Sequence, residues 1–151
     1  MSPANWVHWS RTEPATQHAQ LRLRLEAPAH VRQGAPVPLV FTVTNTGKVG
    51  VTLQLLGRTP TADFRILDSR SRVIWTRLRG QTLLGALRLY PLEAGKSLSF
   101  REVWHQLTEA GTIVAPGIYT VLGVLLTDDP KGLQSAPARI SIEAHPHRVS
   151  Q

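Results

Sequence analysis

From residue 20 onward, apolar and polar residues alternate with a period of two. In QLRLRLEA, Leu21, Leu23 and Leu25 alternate with Arg22, Arg24 and Glu26. Successive strand side chains point to opposite faces, so the leucines face a core and the charges face water. The stretch VRQGAP at 31–36 breaks the pattern. Val37, Leu39, Phe41 and Val43 share one face of a second strand, and Val49, Val51, Leu53 and Leu55 line a third. Between them lies Asn45-Thr46-Gly47-Lys48. The stretch 39–55 therefore predicts a β-hairpin, with Asn45 capping its own turn and Gly47 free to take a positive φ.

The alternation continues beyond the loop at 57–61. Phe64, Ile66 and Asp68 mark a fourth strand, ended by Asp68-Ser69-Arg70-Ser71. Val73 and Trp75 are expected on the inward face of a fifth, and Leu98, Phe100 and Trp104 mark a sixth after the turn Glu93-Ala94-Gly95-Lys96. Residues 118–126, IYTVLGVLL, are apolar on both faces, which predicts a central strand covered on each side. Ile140 and Ile142 belong to a closing strand. The pattern predicts an all-β, Ig-like antiparallel two-sheet β-sandwich of about seven to eight strands. One long loop is expected around 77–92, RLRGQTLLGALRLYPL, where Leu83, Leu84, Leu87 and Leu89 allow a helical turn or a loop packed on the sandwich. Long connections of this kind are often functional.

The organisation that follows is a tail at 1–19, a domain at 20–143 and a second tail at 144–151. Trp6 and Trp9 in the first tail are read as packing back on the domain. The 151 residues are 42% hydrophobic and 18% charged, which fits one folded domain rather than a disordered chain. No apolar stretch is long enough to span a bilayer. The N-terminus lacks a basic segment followed by an apolar one, so a cytoplasmic location is expected if Met1 is the native start. With no cysteine, the two sheets must be held by packing alone.

The formal net charge of +7 changes the partner question but not the fold. Such charge attracts nucleic acid, anionic lipid or acidic protein. The arginines are spread over outward strand faces and loops, and no aromatic-interleaved stripe accompanies them, which argues against nucleic acid. No HExxH, GxSxG, P-loop or dinucleotide fingerprint occurs, so nothing requires an enzyme or a cofactor. His145 and His147 make two metal ligands without a third and read as tail. Asp128-Asp129 reads as a turn before Pro130.

The residues also resemble a family. Phe41-Thr-Val-Thr-Asn45-Thr-Gly47, Asp63-Phe64, Asp68 to Val73-Ile-Trp75, Leu92-Glu-Ala-Gly95-Lys96 with Phe100 and Trp104, and Pro116-Gly117-Ile-Tyr119 follow one another in order. The chain resembles the intracellular proteinase inhibitor (BsuPI) domain, a bacterial Ig-like β-sandwich, over about residues 20–143. Most of these residues read as structural: Phe64, Trp75 and Trp104 as core, and Tyr119 as a tyrosine corner. The resemblance implies a non-enzymatic binding protein that inhibits or regulates a protease, of the serine class among the candidates. It would act as a monomer or weak homo-oligomer through exposed loops. Candidate contacts are Arg58, Arg77 and Arg79 for an acidic pocket, and Leu83 and Leu84 for an apolar one. The competing reading is an Ig-like protein–protein interaction or assembly module without inhibitory activity.

Overall fold

The computed structural model describes residues 20–57, 59–79, 87–129 and 131–144. These form eleven strands: β1 (Leu21–Glu26), β2 (His30–Arg32), β3 (Val37–Asn45), β4 (Val51–Leu56), β5 (Ala62–Leu67), β6 (Val73–Thr76), β7 (Leu87–Leu92), β8 (Ser97–Trp104), β9 (Gly117–Leu125), β10 (Leu133–Gln134) and β11 (Ala138–Glu143). The first sheet has the order β1-β3-β8, the second β2-β11-β9-β5-β6 with β10 also on β9, and β4 and β7 form a third, two-stranded sheet where two sheets were expected. Every pairing is antiparallel except β2 with β11. The fold is thus the expected all-β sandwich. The strand count exceeds the expectation because short pieces such as β2 and β10 leave little period-two signal.

The core lies between the sheets and is built from the predicted inward residues. Phe41 is fully buried, with its ring centroid 6.1 Å from that of Phe100 and 6.4 Å from that of Phe64, the latter edge-on. Gly123 of β9 lies directly under the Phe41 ring, where a Cβ would come within 2.6 Å of Cγ. The absent side chain lets the aromatic cluster seat itself. Trp104 packs at 6.3 Å on Trp75 and 6.1 Å on Tyr119, joining the sheets without a disulfide. The Tyr119 hydroxyl donates to the Ala115 carbonyl at 2.6 Å, forming the expected corner. A buried amide, Gln106, donates to the Arg32 and Ala35 carbonyls and accepts from the Gly34 N–H, pinning the β2–β3 connection.

The stretch 39–55 is not a hairpin. β3 pairs with β1 and β8, whereas β4 pairs with β7 and, through Leu55 and Thr127, with the chain just past β9. Residues 45–50 therefore arch from the first sheet to the β4–β7 pair, which abuts the second sheet, and residues 93–96 arch back beside them. Asn45, fully buried, joins the two arches. Its amide donates to the Val49 and Leu92 carbonyls at 2.9 Å, its Oδ1 accepts from the Gly47 N–H, and its backbone N–H donates to the Lys96 carbonyl. Gly47 does not take the positive φ expected of it; its crowding comes from the Gln20 side chain. Val49 lies in the arch and is exposed instead of lining a strand.

Three further expectations change. Val73 faces solvent because the β5–β6 register shifts between Ile66 and Leu67, placing Trp75 opposite inward Ile66 but Val73 opposite outward Leu67. The long loop is shorter than expected, since its last residues form β7. β9 is central in its sheet, but its outward residues Ile118, Thr120 and Leu122 are not buried. Asp68 ends β5 and caps the turn to β6, accepting from the Arg70 and Arg72 N–H groups. The Arg72 N–H above all, with the Arg70 N–H and the Arg72 side chain, holds the Asp68 carboxyl below the usual carboxylate range against a smaller opposing effect of burial.

Asn45→Ala is expected to lower the unfolding free energy by about 2–4 kcal/mol, read from urea titration, because it orphans buried carbonyls of both arches. Burial first, and the Asp68 carboxylate second, push the Tyr119 phenol above its ordinary value. That contribution is fully present below the unfolded phenol value near pH 10 and is lost as pH rises through the higher folded value. Tyr119→Phe should cost about 1 kcal/mol at neutral pH and flatten the alkaline fall in stability above about pH 10.

Candidate functional site

The two segments singled out by the sequence meet in the structure. β4 and β5 follow the same edge of β9. The Leu56 N–H donates to the Leu126 carbonyl at 3.2 Å, the Leu126 N–H donates to Thr61 at 3.0 Å, and Ala62 lies opposite Leu125. Between these two strands the chain leaves the sheet only at 57–61. β6 and β7 follow the same arm on its other side, with Thr76 opposite Arg65 and Leu87 opposite Leu56. The described start of the chain between them, 77–79, leaves the sheet at the same level. The two connections (excursions from the sheet) are thus rooted at neighbouring places on the sandwich.

Their roots are fixed by side chains rather than by strand pairing. Asp63 is buried beside Phe64, and its carboxylate accepts from the Leu78 N–H at 3.1 Å and from Arg65 Nε at 3.2 Å. The Arg77 N–H donates to the Phe64 carbonyl, its Nη1 to the Ala62 carbonyl at 3.1 Å, and its Nε to Glu102 of β8 at 2.8 Å. Arg77 therefore ties the second excursion to the first and to the opposite sheet. The Arg79 N–H donates to Thr76 Oγ1, and Arg79 adopts a left-handed φ of 51° that redirects the chain away from β6. Gly57, with φ 95°, does the same at the start of the first excursion.

Two hollows flank these roots. Leu55, Gly57, Pro60, Arg88, Leu89 and Tyr90 line an apolar one of about 140 Å³. Pro60, Ala62, Phe64, Arg77, Phe100 and Arg101 line a slot of about 200 Å³ between the sheets. Leu89 projects outward on β7 and is 68% exposed. Arg79, Arg88 and Arg101 form no ion pair with a described residue, so the charge here is positive.

Of the residues proposed from sequence, Arg77 and Arg79 stand together at the root of the second excursion. Arg58, Leu83 and Leu84 lie outside the described residues. Sequence reasoning noticed Asp63 only as part of a motif. Its signal is a carboxylate set between Ala62 and Phe64 in an otherwise buried strand, which requires a donor nearby. Glu102 and Arg88 were missed, and Leu89 was read only as a leucine of the long loop. Among the described residues no group of three or more His, Asp or Glu is placed to hold a metal ion, and no helix is long and apolar enough to cross a membrane.

Comparison with known proteins bears on this arrangement. Among solved structures the chain is similar to the Pseudomonas fluorescens alkylpurine DNA glycosylase AlkC, at 18% identity and TM-score 0.48, over 84% of this chain and 31% of that one. It is also similar to the CARDB domain of the PF1109 protein from Pyrococcus furiosus, at 12% identity and TM-score 0.45, over 83% and 94% of the two chains. A β-glucosidase from Listeria innocua matches at 14% identity and TM-score 0.45, over 83% of this chain and 16% of its own. The chain thus spans less than a third of the glycosylase and a smaller part of the glucosidase. No curated protein sequence matches. The family model described as intracellular proteinase inhibitor, BsuPI, matches residues 23–130. That span runs from β1 to the turn after β9 and includes Asn45, both excursions and the Asp63 and Arg77 anchors. The chain belongs to the intracellular proteinase inhibitor (BsuPI) family.

Proposed function

We propose that this protein is a non-enzymatic inhibitor of a serine protease, acting inside the cell, and that the paired excursions at 57–61 and 77–86 are its contact surface. The observation that carries this reading is the anchoring of both roots by Asp63 and Arg77. A segment that enters a protease cleft without being turned over must be held at its ends, and fixed ends lower the ordering cost of binding. Arg79 and Arg58 supply positive charge for an acidic pocket, and Leu83 and Leu84 supply apolar contacts. The flanking hollows have room for one or two side chains of the partner.

The test is inhibition of purified subtilisin-like and trypsin-like serine proteases by the intact protein, scored with a small chromogenic substrate. Slowed turnover at micromolar inhibitor is expected, with the inhibition constant raised at least about tenfold by Leu83→Ala/Leu84→Ala or by Arg58→Ala/Arg79→Ala, as for loss of central interface residues. Failure of micromolar excess to slow either class overturns direct inhibition. Pull-down of a stable non-protease partner would then favour the interaction-module reading.

The anchors make a separate prediction. Arg77→Ala should cost only about 1–2 kcal/mol in stability, since the ion pair is partly exposed. It should nevertheless convert the protein toward a substrate, with cleavage inside 77–86 appearing by mass spectrometry while the wild type stays intact. Equal cleavage of the two proteins would remove Arg77 from the anchoring role.

A further inference from the structure

The first sheet ends on β8, and no described strand pairs with that edge. In an Ig domain the corresponding sheet runs A-B-E-D. By chain order β1, β3 and β8 stand as A, B and E, whereas the chain that would supply D forms β7 and pairs with β4. The Asn45 N–H donates to the Lys96 carbonyl, so by the antiparallel alternation the even-numbered residues of β8 bond to β3. The N–H and carbonyl groups of Ser97, Ser99 and Arg101 therefore point away from the sheet, without a partner among the described residues. Val103 faces the same way, but its N–H donates to Oε2 of the preceding Glu102 at 3.1 Å. Other edges are guarded. Glu109 closes β6, Pro91 stands in β7, and β1 carries a charge at every second residue. β8 runs eight residues without a bulge or a proline and opens on Ser97 and Ser99.

The surroundings of this edge define what fits it. On the inward side Leu98 and Phe100 are only half-buried, although Leu39, Phe41 and Val43 beside them on β3 are fully buried. Phe100 also lines the slot of about 200 Å³, together with Pro60, Ala62, Phe64 and Arg77. A strand added at this edge points every second side chain toward these groups. On the outward side the edge is positive. Arg101 and Lys96 form no ion pair with a described residue. Glu102, between Arg101 and Val103, is already bonded to Arg77 Nε and to the Val103 N–H. Arg22 and Arg24 of β1 project on the same outer face as Arg101, and the one carboxylate facing them, Glu26, is held by Arg24 at 3.5 Å.

We infer that the β8 edge takes up an extended segment of a partner protein in which acidic and apolar residues alternate. The segment lies as a fourth strand of the first sheet, bonded to the backbone of Ser97, Ser99 and Arg101. Its apolar side chains cover Leu98 and Phe100 and enter the slot, and its carboxylates lie on the outer face beside Arg101. Main-chain bonds give a contact of this kind its affinity, and the alternate side chains give it specificity. None of the bonding backbone groups belongs to either excursion, so the inference stands or falls separately from the proposed inhibition.

NMR titration of the intact, isotope-labelled protein with a capped peptide of alternating Glu and Val, about eight residues long, tests this. Shift changes centred on Ser97–Arg101 are expected, with slowed amide exchange at Ser97, Ser99 and Arg101 and a dissociation constant on the order of 100 µM. A peptide of alternating Lys and Val should bind at least about tenfold more weakly, and Arg101→Glu should reverse the preference between the two. Ser99→Pro deletes an edge donor without touching the β3 ladder, and should weaken the Glu–Val peptide at least about tenfold. Binding of neither peptide at about 1 mM overturns the inference. So do shifts centred on another surface, an unreversed preference in Arg101→Glu, or full affinity in Ser99→Pro. Edge amides that already exchange slowly without peptide overturn it too. They would assign the edge to the chain's own terminus, or to a second copy if the slowing grows with protein concentration.

Discussion

The sandwich depends on how Asn45 holds two chain reversals together. β3 leaves the first sheet at Asn45 and β8 enters it just past Lys96, so both connections cross the same gap at the same end of the core. Neither crossing has a ladder of its own. The buried amide supplies what the ladder would have supplied: acceptors and donors for Val49, Leu92 and Gly47, all within 2.9 Å. A buried carbonyl without a partner costs about 1–3 kcal/mol, so a residue that satisfies two at once and accepts a third bond has few substitutes. Asp offers no N–H to those carbonyls, and Gln carries its amide one methylene further out. The asparagine of the family's strand-and-turn motif thus serves as the rivet of a double arch.

The same logic operates at the other end. Gln106 is as buried as Asn45 and serves the β2–β3 connection in the same manner, through two carbonyls and one N–H. The core also holds two aromatic groups: Phe100, Phe41 and Phe64, and Trp75, Trp104 and Tyr119. A cysteine-free sandwich needs its sheets held in register as well as in contact. Apolar packing gives contact without direction, whereas the two amides are directional. Packing and polar rivets therefore divide the work that a single inter-sheet disulfide would otherwise do in part.

The alternation of apolar residues was a faithful guide to which side chains face the core, and an unreliable guide to which strands pair. Val37, Leu39, Phe41 and Val43 are all buried, as are Val51, Leu53 and Leu55, yet the two strands lie in different sheets. Period two reports orientation within a strand and is indifferent to the neighbour. The arch is betrayed only by one partner of the Asn45 amide, Leu92, which comes from 47 residues away. A bulge has no sequence mark of its own, so Val73 was assigned to the wrong face. β7 was hidden for the opposite reason. Its inward residues include Arg88 and Tyr90 while Leu87 and Leu89 face out, which inverts the expected pattern at a sheet margin. The candidate site was legible as two long connections. Their convergence was not, because it follows from β4 and β5 sharing one edge of β9.

Charge placement has the same two-sided character as packing. In this chain the carboxylates are few, and most of them are spent on arginines or backbone N–H groups at points where the chain changes course: Asp63 under the second excursion, Asp68 in the β5–β6 turn, Glu102 against Arg77 and Glu109 along the β6 edge. All four lie on or beside the β5–β6 arm, and the first sheet's outer face is left basic. An edge strand such as β6, four residues long, would otherwise offer open N–H and carbonyl groups to any passing chain. Glu109 closes that edge with one backbone bond and one side-chain bond, so the arm that carries the anchors cannot be extended sideways by another strand. What remains open to a partner on this arm is its outer face and the excursions it raises, and both are reached without breaking a bond of the sheet.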